Sequence, residues 1–359
     1  MDGTVESGVT AAATALAPVR VRPYTPADAA RWDDFIERCG DATFFHRAGW
    51  RHILDDVLRH RCHYLIAERS DVVCGVLPLS EVRSRLFGHA LVSLPLCVYG
   101  GPVAADGPAE DALIDAAVEL ARSLDVEHLE LRNRAAKRAD WPRQDLYVSF
   151  RKSLLPDPDA NLGAVPRKQR AMIRKAIGRQ LASTIDEAPA RFFRLYADNM
   201  HRHGSPPLSQ HYFVELAKTF GPACETLIVT DAGGTPVSGV MSFYFRGEVL
   251  PYYAGDTEAA RDLAANDFKY WELMRRACER GTRVFDYGRS KVGTGSYAFK
   301  KNWGFEPEPL AYEYELLRRA DVPQNNPLNP RYRALIAMWR RLPRPVVNAV
   351  GPMLARNLG

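Results

Sequence analysis

The sequence lacks the features that mark several common protein classes. Its 359 residues include six cysteines but no two at CxxC spacing, which argues against a zinc ribbon and against a redox motif. No window holds the ~18–20 consecutive apolar residues that a bilayer-spanning helix needs. The first residues, Met1–Pro18, have no basic segment and only a short, weakly apolar run, so they do not predict a signal peptide. These absences favour reduced thiols and a cytoplasmic protein, which could lie at the inner face of the membrane.

What the sequence does contain is typical of a globular protein. Hydrophobic residues make up 46% and charged residues 25% of the chain, enough to bury a core in each of two domains. The formal net charge of +5 is a mild excess. It permits an anionic partner such as a nucleotide, CoA or RNA, but does not require one.

Changes in composition predict four segments. Residues 1–20 are expected to be a disordered lead, residues 21–155 an N-terminal domain, residues 160–320 a C-terminal domain and residues 321–359 a basic amphipathic tail. The boundary between the domains falls at Leu155–Asp159, because this stretch holds two prolines and two aspartates.

Apolar periodicity predicts a similar order of elements in both domains. In the N-terminal domain we expect helices over residues 26–36, 48–58 and 108–124 and strands at His63–Glu68, Val73–Leu79, Ala90–Leu96, Val126–Leu131 and Leu146–Phe150. In the C-terminal domain we expect helices at Arg167–Leu181, Ala190–Met200, Ser209–Phe220, Asn266–Arg280 and Ser296–Trp303, and strands at Thr226–Thr230, Pro236–Arg246, Val249–Ala254, Arg283–Tyr287 and Ala311–Leu317. Each domain thus has helices, a three-strand meander, a helix, a strand and a last strand, which indicates a duplicated fold.

Four blocks of residues resemble the FemAB-like family. Phe285–Lys291 and Tyr297–Phe305 are similar to its C-terminal signature, and Phe44–Trp50 and Val98–Pro102 also resemble family blocks. The similarity is greatest to the branch associated with exosortase (PEP-CTERM) systems in Gram-negative bacteria. It covers roughly residues 21–320. It implies an α/β fold of two tandem GNAT-like domains, like those of acyl-CoA N-acyltransferases.

The resemblance also implies the chemistry. Fem ligases transfer an amino acid from aminoacyl-tRNA to an amine on a peptidoglycan precursor, and other relatives are acyl-CoA-dependent acetyltransferases. We therefore expect an N-acyltransferase or aminoacyltransferase that forms an amide bond on an amine of a cell-envelope or exopolysaccharide precursor. The donor would be aminoacyl-tRNA or acyl-CoA, with no tightly bound cofactor. The acceptor would lie between the halves, and the donor in the second half.

Two departures from the family leave the choice of donor open. A GNAT enzyme holds the CoA pyrophosphate on a glycine-rich loop, whereas Ala254–Asn266 contains one glycine and three acids. A classical Fem ligase carries a long coiled-coil arm, and no heptad pair of that length occurs here. The first departure argues against acyl-CoA and the second against tRNA.

Three residues are expected to be catalytic. Acyl transfer to an amine needs an oriented donor and a positive or hydrogen-bonding group near the oxyanion. By the resemblance, Lys300 would stabilise the oxyanion and Phe299 would pack against the donor. The alternative for Lys300 is a solvated lysine beside Lys301. Asp286 ends a predicted strand, where ligands often bind in α/β sheets, and could orient or deprotonate the amine.

Four residues are expected to contact substrate: Arg289, Tyr253, Tyr99 and His203. Arg289 could hold a phosphate or carboxylate, or instead pair with Asp286 and lock the loop. Tyr252 and Tyr253 are adjacent on a strand, so their side chains should face opposite ways. Either one of them points into the cleft, or one lies in the core and the other on the sheet surface. His203 lies in a loop that resembles the family's substrate-contacting stretch.

Other patterns have simpler explanations. His201, His203 and His211 do not match a known metal-ligand pattern, so we expect no metal site. The basic helix at residues 167–181 suits a phosphate-rich partner such as tRNA, or is a solvated helix. The tail could lie on an anionic membrane surface or pack against the body. A non-catalytic GNAT-like scaffold that binds RNA or a partner is the second hypothesis for the whole chain.

Overall fold

The computed structural model describes residues 17–84, 88–323 and 336–357. Residues 1–16 of the predicted disordered lead lie outside the described residues, and Arg20 begins the first strand. Residues 324–335 of the predicted tail also lie outside them. The described residues form a mixed α/β fold, as predicted.

The strands of the structure follow the predicted order closely. They are β1 (Arg20–Pro23), β2 (Arg61–Cys62), β3 (Leu65–Arg69), β4 (Val72–Leu77), β5 (Ser80–Ser84), β6 (Gly88–Val92), β7 (Val103–Ala104), β8 (His128–Asn133), β9 (Arg143–Gln144), β10 (Tyr147–Ser153), β11 (Ala182–Ile185), β12 (Cys224–Thr230), β13 (Pro236–Phe245), β14 (Glu248–Asp256), β15 (Val284–Asp286), β16 (Ser290–Lys291), β17 (Pro307–Pro309) and β18 (Ala311–Leu316). Eight short strands were not predicted: β1, β2, β5, β7, β9, β11, β16 and β17.

Helices cover the faces of these sheets. They are α1 (Ala29–Arg38), α2 (Trp50–His52, which continues as a π-helical turn), α3 (Gly107–Ser123), α4 (Pro158–Ala164), α5 (Arg167–Gly178), α6 (Ala190–His203), α7 (Gln210–Phe220), α8 (Ala260–Leu263), α9 (Ala265–Glu279), α10 (Gly295–Asn302) and α11 (Arg344–Ala355). Helix α3 starts where the Asp106 carboxylate accepts the amide of Ala109, with Pro108 in the first turn. Helix α6 ends at Gly204 in the left-handed conformation.

The strands assemble into three sheets. Two belong mainly to the first half, with strand orders β1-β3-β4-β7 and β2-β5-β6-β8-β18-β9. The third belongs to the second half, in the order β11-β12-β13-β14-β15-β10-β16, and β17 also pairs with β10. Strands β14 and β15 run parallel and pair only at Glu248 and Val249, so they separate toward the end of β14.

Two strands cross between the halves, which corrects the predicted arrangement. Strand β10 was expected to close the N-terminal domain but lies between β15 and β16 in the third sheet. Strand β18 was expected in the C-terminal domain but pairs with β8 and β9. Alternation along a segment predicts a strand but does not say which strands it pairs with, so the exchange was not visible in the sequence. The ranges 21–155 and 160–320 stay a prediction.

An aromatic core joins the two halves. The rings of Phe44 and Phe243 stack with centroids 4.4 Å apart, and Trp50 packs 5.3 Å from Phe220. Because these side chains come from both halves and are almost fully buried, the halves share one hydrophobic cluster. All six cysteines are free thiols. Among the residues that the structure describes, no helix is both long and apolar enough to cross a bilayer.

Candidate active site

A polar cavity of about 300 Å³ opens beside strand β10. Its walls include residues of two blocks that carry the family resemblance, namely His46 from the first and Tyr99, Gly100, Gly101 and Pro102 from the second. Strand β8 adds Arg132 and Asn133, the following loop adds Arg134 and Lys137, and β10 adds Ser149. The fold therefore brings distant sequence blocks into one cavity.

His46 fixes the wall between the two blocks. It lies in a 3-10 turn, where its Nδ1 accepts the backbone N–H of Thr43 at 3.1 Å. The proton is therefore on Nε2, which donates to the carbonyl of Gly101 at 2.9 Å. Burial lowers the pKa of His46 to about 4, so the ring is neutral at physiological pH.

Acid is expected to destabilise the protein through His46. Between pH 6.5 and about 4 the unfolded chain binds a proton that the native His46 excludes, so stability falls as the pH drops through this window. The loss from this residue should be about 3 kcal/mol. Urea unfolding at several pH values should show a shallower pH slope in His46→Gln than in the wild type. The exposed His211→Gln is the matched control for the loss of a histidine. Equal slopes in all three proteins would contradict this role.

Gly101 is required by a close approach of two chains. The amides of Gly100 and Gly101 both donate to the carbonyl of Arg132, each at 3.1 Å. A Cβ on Gly101 would lie 1.6 Å from Oδ1 of Asn133. The Asn133 amide is itself held by the Glu313 carboxylate at 2.6 Å. The loop can therefore contact β8 only with glycine at position 101.

Tyr99 connects the cavity to the second half. Its hydroxyl lies 2.6 Å from Oγ of Ser149 and donates to Oδ2 of Asp286 at 2.9 Å. Ser149 also donates to Oδ1 of Asp286 at 3.3 Å. Burial is the main reason that the pKa of Tyr99 is well above its ordinary value, so this residue remains a phenol.

Asp286 is buried and fully engaged. Besides Tyr99 and Ser149, it accepts Nη1 of Arg151 at 2.7 Å and the backbone amide of Gly288 at 2.7 Å. The predicted alternative of an ion pair with Arg289 is wrong, because Arg151 takes that place. Arg151 lies on β10, which was predicted to belong to the other half, so its contact with Asp286 was not predicted.

Lys300 is also buried, so the alternative of a solvated surface lysine is wrong. Helix α10 turns Lys300 and Trp303 inward together, while Lys301 is exposed. The Lys300 ammonium donates to the carbonyls of Tyr287, Gly288 and Arg289 at 2.7, 3.1 and 3.2 Å. Burial lowers the pKa of Lys300 to about 7, against a raising effect of the Asp286 carboxylate.

Phe299 packs in an aromatic cluster rather than beside Lys300. Its ring lies 5.6 Å from that of Tyr270 and 6.0 Å from that of Trp303, and it is only half-buried. Its role toward a donor stays a prediction.

Arg289 and Lys291 are two cationic residues that follow Asp286. Arg289 lies in the loop after β15, and Lys291 lies on β16. The guanidinium carbon of Arg289 lies 4.5 Å from the ring centroid of Tyr147, and Nη1 donates to the Tyr312 hydroxyl at 3.4 Å. Burial is the main cause that lowers the pKa of Lys291 to about 8, and the positive charge of Arg289 lowers it further in the same direction. Within the described ranges neither side chain pairs with a carboxylate. The pair is suited to a phosphate or carboxylate.

Tyr252 and Tyr253 lie on the same side of the sheet, which corrects the prediction that they face opposite ways. Their rings contact each other with centroids 4.7 Å apart. The pairing of β13 and β14 shifts register here, so Tyr252 is the extra residue of a β-bulge and the alternation is broken. The Tyr253 hydroxyl lies 2.7 Å from that of Tyr212.

His203 is exposed at the end of α6, and its carbonyl accepts Nη2 of Arg340 from the tail. Tyr99, Asp286, Arg289 and Lys300 thus come together around one loop, whereas His203 lies on another surface. Across residues 17–84, 88–323 and 336–357, no group of three or more His, Cys, Asp and Glu side chains could hold a metal ion.

The loop after β14 does not match a CoA pyrophosphate cradle. Gly255 serves packing, because a Cβ there would lie 2.4 Å from the backbone of Leu195 and Tyr196 in α6. The Asp256 carboxylate accepts the ammonium of the fully buried Lys269 at 2.8 Å. No glycine follows before α9. The residues present therefore do not fit the usual phosphate loop.

Comparisons with known proteins agree with this fold. Residues 167–301 match the family model described as an acetyltransferase (GNAT) domain. FemX is 14% identical with a TM-score of 0.64, covering 83% of this chain and 98% of the FemX chain. L-PGS from Bacillus licheniformis is 13% identical with a TM-score of 0.56, covering 87% of this chain and 96% of the other. The C-terminal domain of a protein assigned as a lysylphosphatidylglycerol synthetase from Agrobacterium fabrum is 14% identical with a TM-score of 0.52, covering 80% and 91%.

At these identities the structural similarity establishes the fold. The expected GNAT-like α/β fold is confirmed, and the GNAT domain match supports an acyltransferase. A search of curated protein sequences found no match.

Proposed function

We propose that the protein is a FemAB-like transferase that forms an amide bond on an amine of a cell-envelope or exopolysaccharide precursor, within the exosortase-associated branch. The observation that carries the proposal is the hydrogen bond from Tyr99 in the cavity to Asp286 beside the Lys300 loop. It joins an acceptor-sized polar cavity to the loop that resembles the family signature. Six free thiols fit a cytoplasmic reaction.

In this proposal the acceptor occupies the cavity and its amine attacks the acyl carbon of the donor. The new C–N bond replaces the C–O bond of an ester or the C–S bond of a thioester, and the amine proton leaves with the departing group or with water. Asp286 holds Tyr99 and the loop amide of Gly288 in place. The positive charge of Lys300 stabilises the oxyanion electrostatically, because its three protons already hold the loop carbonyls.

We take aminoacyl-tRNA as the donor and acyl-CoA as the alternative. The loop after β14 offers no glycine cradle for a pyrophosphate. Helix α5, in contrast, exposes the basic side chains of Lys168, Arg174 and Lys175. In the part of the chain that the structure describes, these three form no ion pair, so they are available to a phosphate backbone.

A donor titration tests the proposal. Charged tRNA and acetyl-CoA would be added separately to wild type, Lys300→Ala and an Arg174→Ala/Lys175→Ala double variant, with a panel of primary amines as acceptors. We expect saturable tRNA binding, weakened in the double variant, and turnover that is lost in Lys300→Ala. Turnover of acetyl-CoA would favour an acyl-CoA-dependent N-acetyltransferase. Binding of neither donor would favour the non-catalytic scaffold.

Gly101→Ala is expected to impair acceptor use. The added Cβ would displace Asn133 from its place at the cavity wall, since the Glu313 bond leaves it little freedom. Misplacement of this size should reduce kcat/KM for the acceptor by about 10- to 100-fold. Steady-state kinetics at saturating donor would measure it. Gly107→Ala is the matched control, because no heavy atom lies within 4 Å of its Cβ position. An unchanged kcat/KM for the acceptor in Gly101→Ala would place the acceptor elsewhere.

A further inference from the structure

The C-terminal tail has an unusual charge composition. From Val322 to Gly359 the sequence contains six arginines and no aspartate or glutamate. Arg340, Arg341 and Arg344 lie just before or at the start of α11, and Arg356 follows its end. Such a segment is attracted to anionic surfaces and has no acids of its own to neutralise it.

One side of the tail is tied to the body of the protein. Val347, Gly351 and Ala355 are buried, and Gly351 lies against Pro207. The Nε of Arg344 lies 3.3 Å from the Asp198 carboxylate on α6. At the other end, Nε2 of His60 donates to the carbonyl of Arg356 at 2.8 Å. Helix α11 is therefore anchored to both halves.

The outward side of the tail is apolar rather than polar. Five large hydrophobic side chains are exposed there: Met338 (56%), Val346 (42%), Val350 (41%), Met353 (63%) and Leu354 (36%). Across the residues that the structure describes, ten large hydrophobic side chains are exposed in all, so half of them lie in this short segment. The spacing of residues 346, 350, 353 and 354 puts them on one side of the helix. Helix α11 thus exposes an apolar stripe, which a solvated helix would not.

We propose that this stripe is a docking surface for an anionic lipid bilayer. The exposed methionine, leucine and valine side chains would enter the headgroup region, and the arginines at both ends would contact lipid phosphates. Charge complementarity favours this occupant over a second copy of the chain, since an identical segment would bring arginines against arginines. The sequence left open whether the tail lies on a membrane surface or packs against the body. In the structure helix α11 packs against the body, and its outer face is apolar with arginines at both ends.

Docking would decide which surface of the protein faces the bilayer. Arg340 donates to the carbonyl of His203, and a Cβ on Gly204 would lie 2.5 Å from Ile336. The tail therefore lies on the loop after α6, which belongs to another surface than the cavity and the Lys300 loop. Docking through the tail would hold this surface at the bilayer. The docking itself does not depend on which donor the enzyme uses.

Vesicle flotation with the full chain tests the proposal. Wild type should float with vesicles of phosphatidylglycerol and phosphatidylcholine in equal parts, much less with phosphatidylcholine alone, and less as salt is raised. Val350→Gln/Met353→Gln should reduce partitioning by about tenfold or more, because both side chains lose their apolar contact. Arg341→Ala should reduce it by about fivefold.

Matched controls separate this surface from others. Val72→Gln removes an equally exposed apolar residue of the first half, and Arg38→Ala removes an exposed charge from α1; both should float as wild type does. Circular dichroism should show that every variant is folded. Equal flotation of wild type and Val350→Gln/Met353→Gln would overturn the proposal, as would failure of wild type to float. A concentration-dependent dimer that the double variant breaks would instead assign the stripe to a second copy.

Discussion

Arg151→Met is expected to lower the free energy of unfolding by about 3 to 5 kcal/mol. The substitution leaves the Asp286 carboxylate buried without its cation, since Nη1 of Arg151 lies 2.7 Å from Oδ2 and the Asp286 side chain is only 3% exposed. The remaining donors, Tyr99, Ser149 and the Gly288 amide, are neutral. An uncompensated buried charge costs far more than a lost surface ion pair.

Denaturant unfolding at neutral pH would measure the effect, and Glu248→Gln is its matched control. Glu248 is the other partner of Arg151, but its side chain is 35% exposed, so its loss should cost less than about 1 kcal/mol. Arg151 joins β10 to β15. Arg151→Met should therefore also weaken the contact between Tyr99 and Asp286 and lower the activity. A change below about 1 kcal/mol in Arg151→Met would mean that the Arg151–Asp286 ion pair contributes little to stability.

Lys300→Met is expected to reduce kcat/KM by about two to three orders of magnitude. The methionine keeps most of the side-chain volume but removes the charge beside Asp286 and the donor of three loop carbonyls. Since burial lowers the pKa of Lys300 to about 7, the ammonium is lost as the pH rises through that value. If the charge is required, the wild-type rate should decline above about pH 7.

The pH–rate profile separates catalysis from folding in this prediction. The residual rate of Lys300→Met should not decline at high pH. A purely structural defect would lower the rate but leave that decline in place. Lys301→Met is the matched control, because Lys301 is exposed on the same helix, and its rate should stay within about twofold of wild type. Thermal unfolding would confirm that both variants are folded. Equal rates in wild type and Lys300→Met would remove Lys300 from the mechanism.

Elements with strong apolar spacing were predicted almost to the residue. Helix α9 was expected at Asn266–Arg280 and is found at Ala265–Glu279, and β13 was expected at Pro236–Arg246 and is found at Pro236–Phe245. Local periodicity is enough in these cases, since each element buries one continuous face. The bulge at Tyr252 was not predicted, because a bulge depends on the pairing of two strands and not on either sequence alone.

The placement of the candidate site residues can be compared with the structure, whereas their roles stay predictions. The family-like blocks pointed to Tyr99, Asp286, Arg289 and Lys300, and the structure places these around one loop. His46, Ser149 and Arg151 were missed as functional candidates. Ser149 and Arg151 alternate on β10, and nothing in that strand indicates that it enters the other sheet.

The sequence by itself determined the α/β class, the order of helices and strands and the blocks that resemble FemAB-like proteins, because these depend on local spacing and residue type. Only the tertiary structure decided which sheet β10 and β18 join, that Asp286 pairs with Arg151 and that Lys300 is buried rather than solvated. Each of these depends on contacts between residues far apart in the chain. Such contacts are set by the packing of whole sheets, which no local pattern specifies.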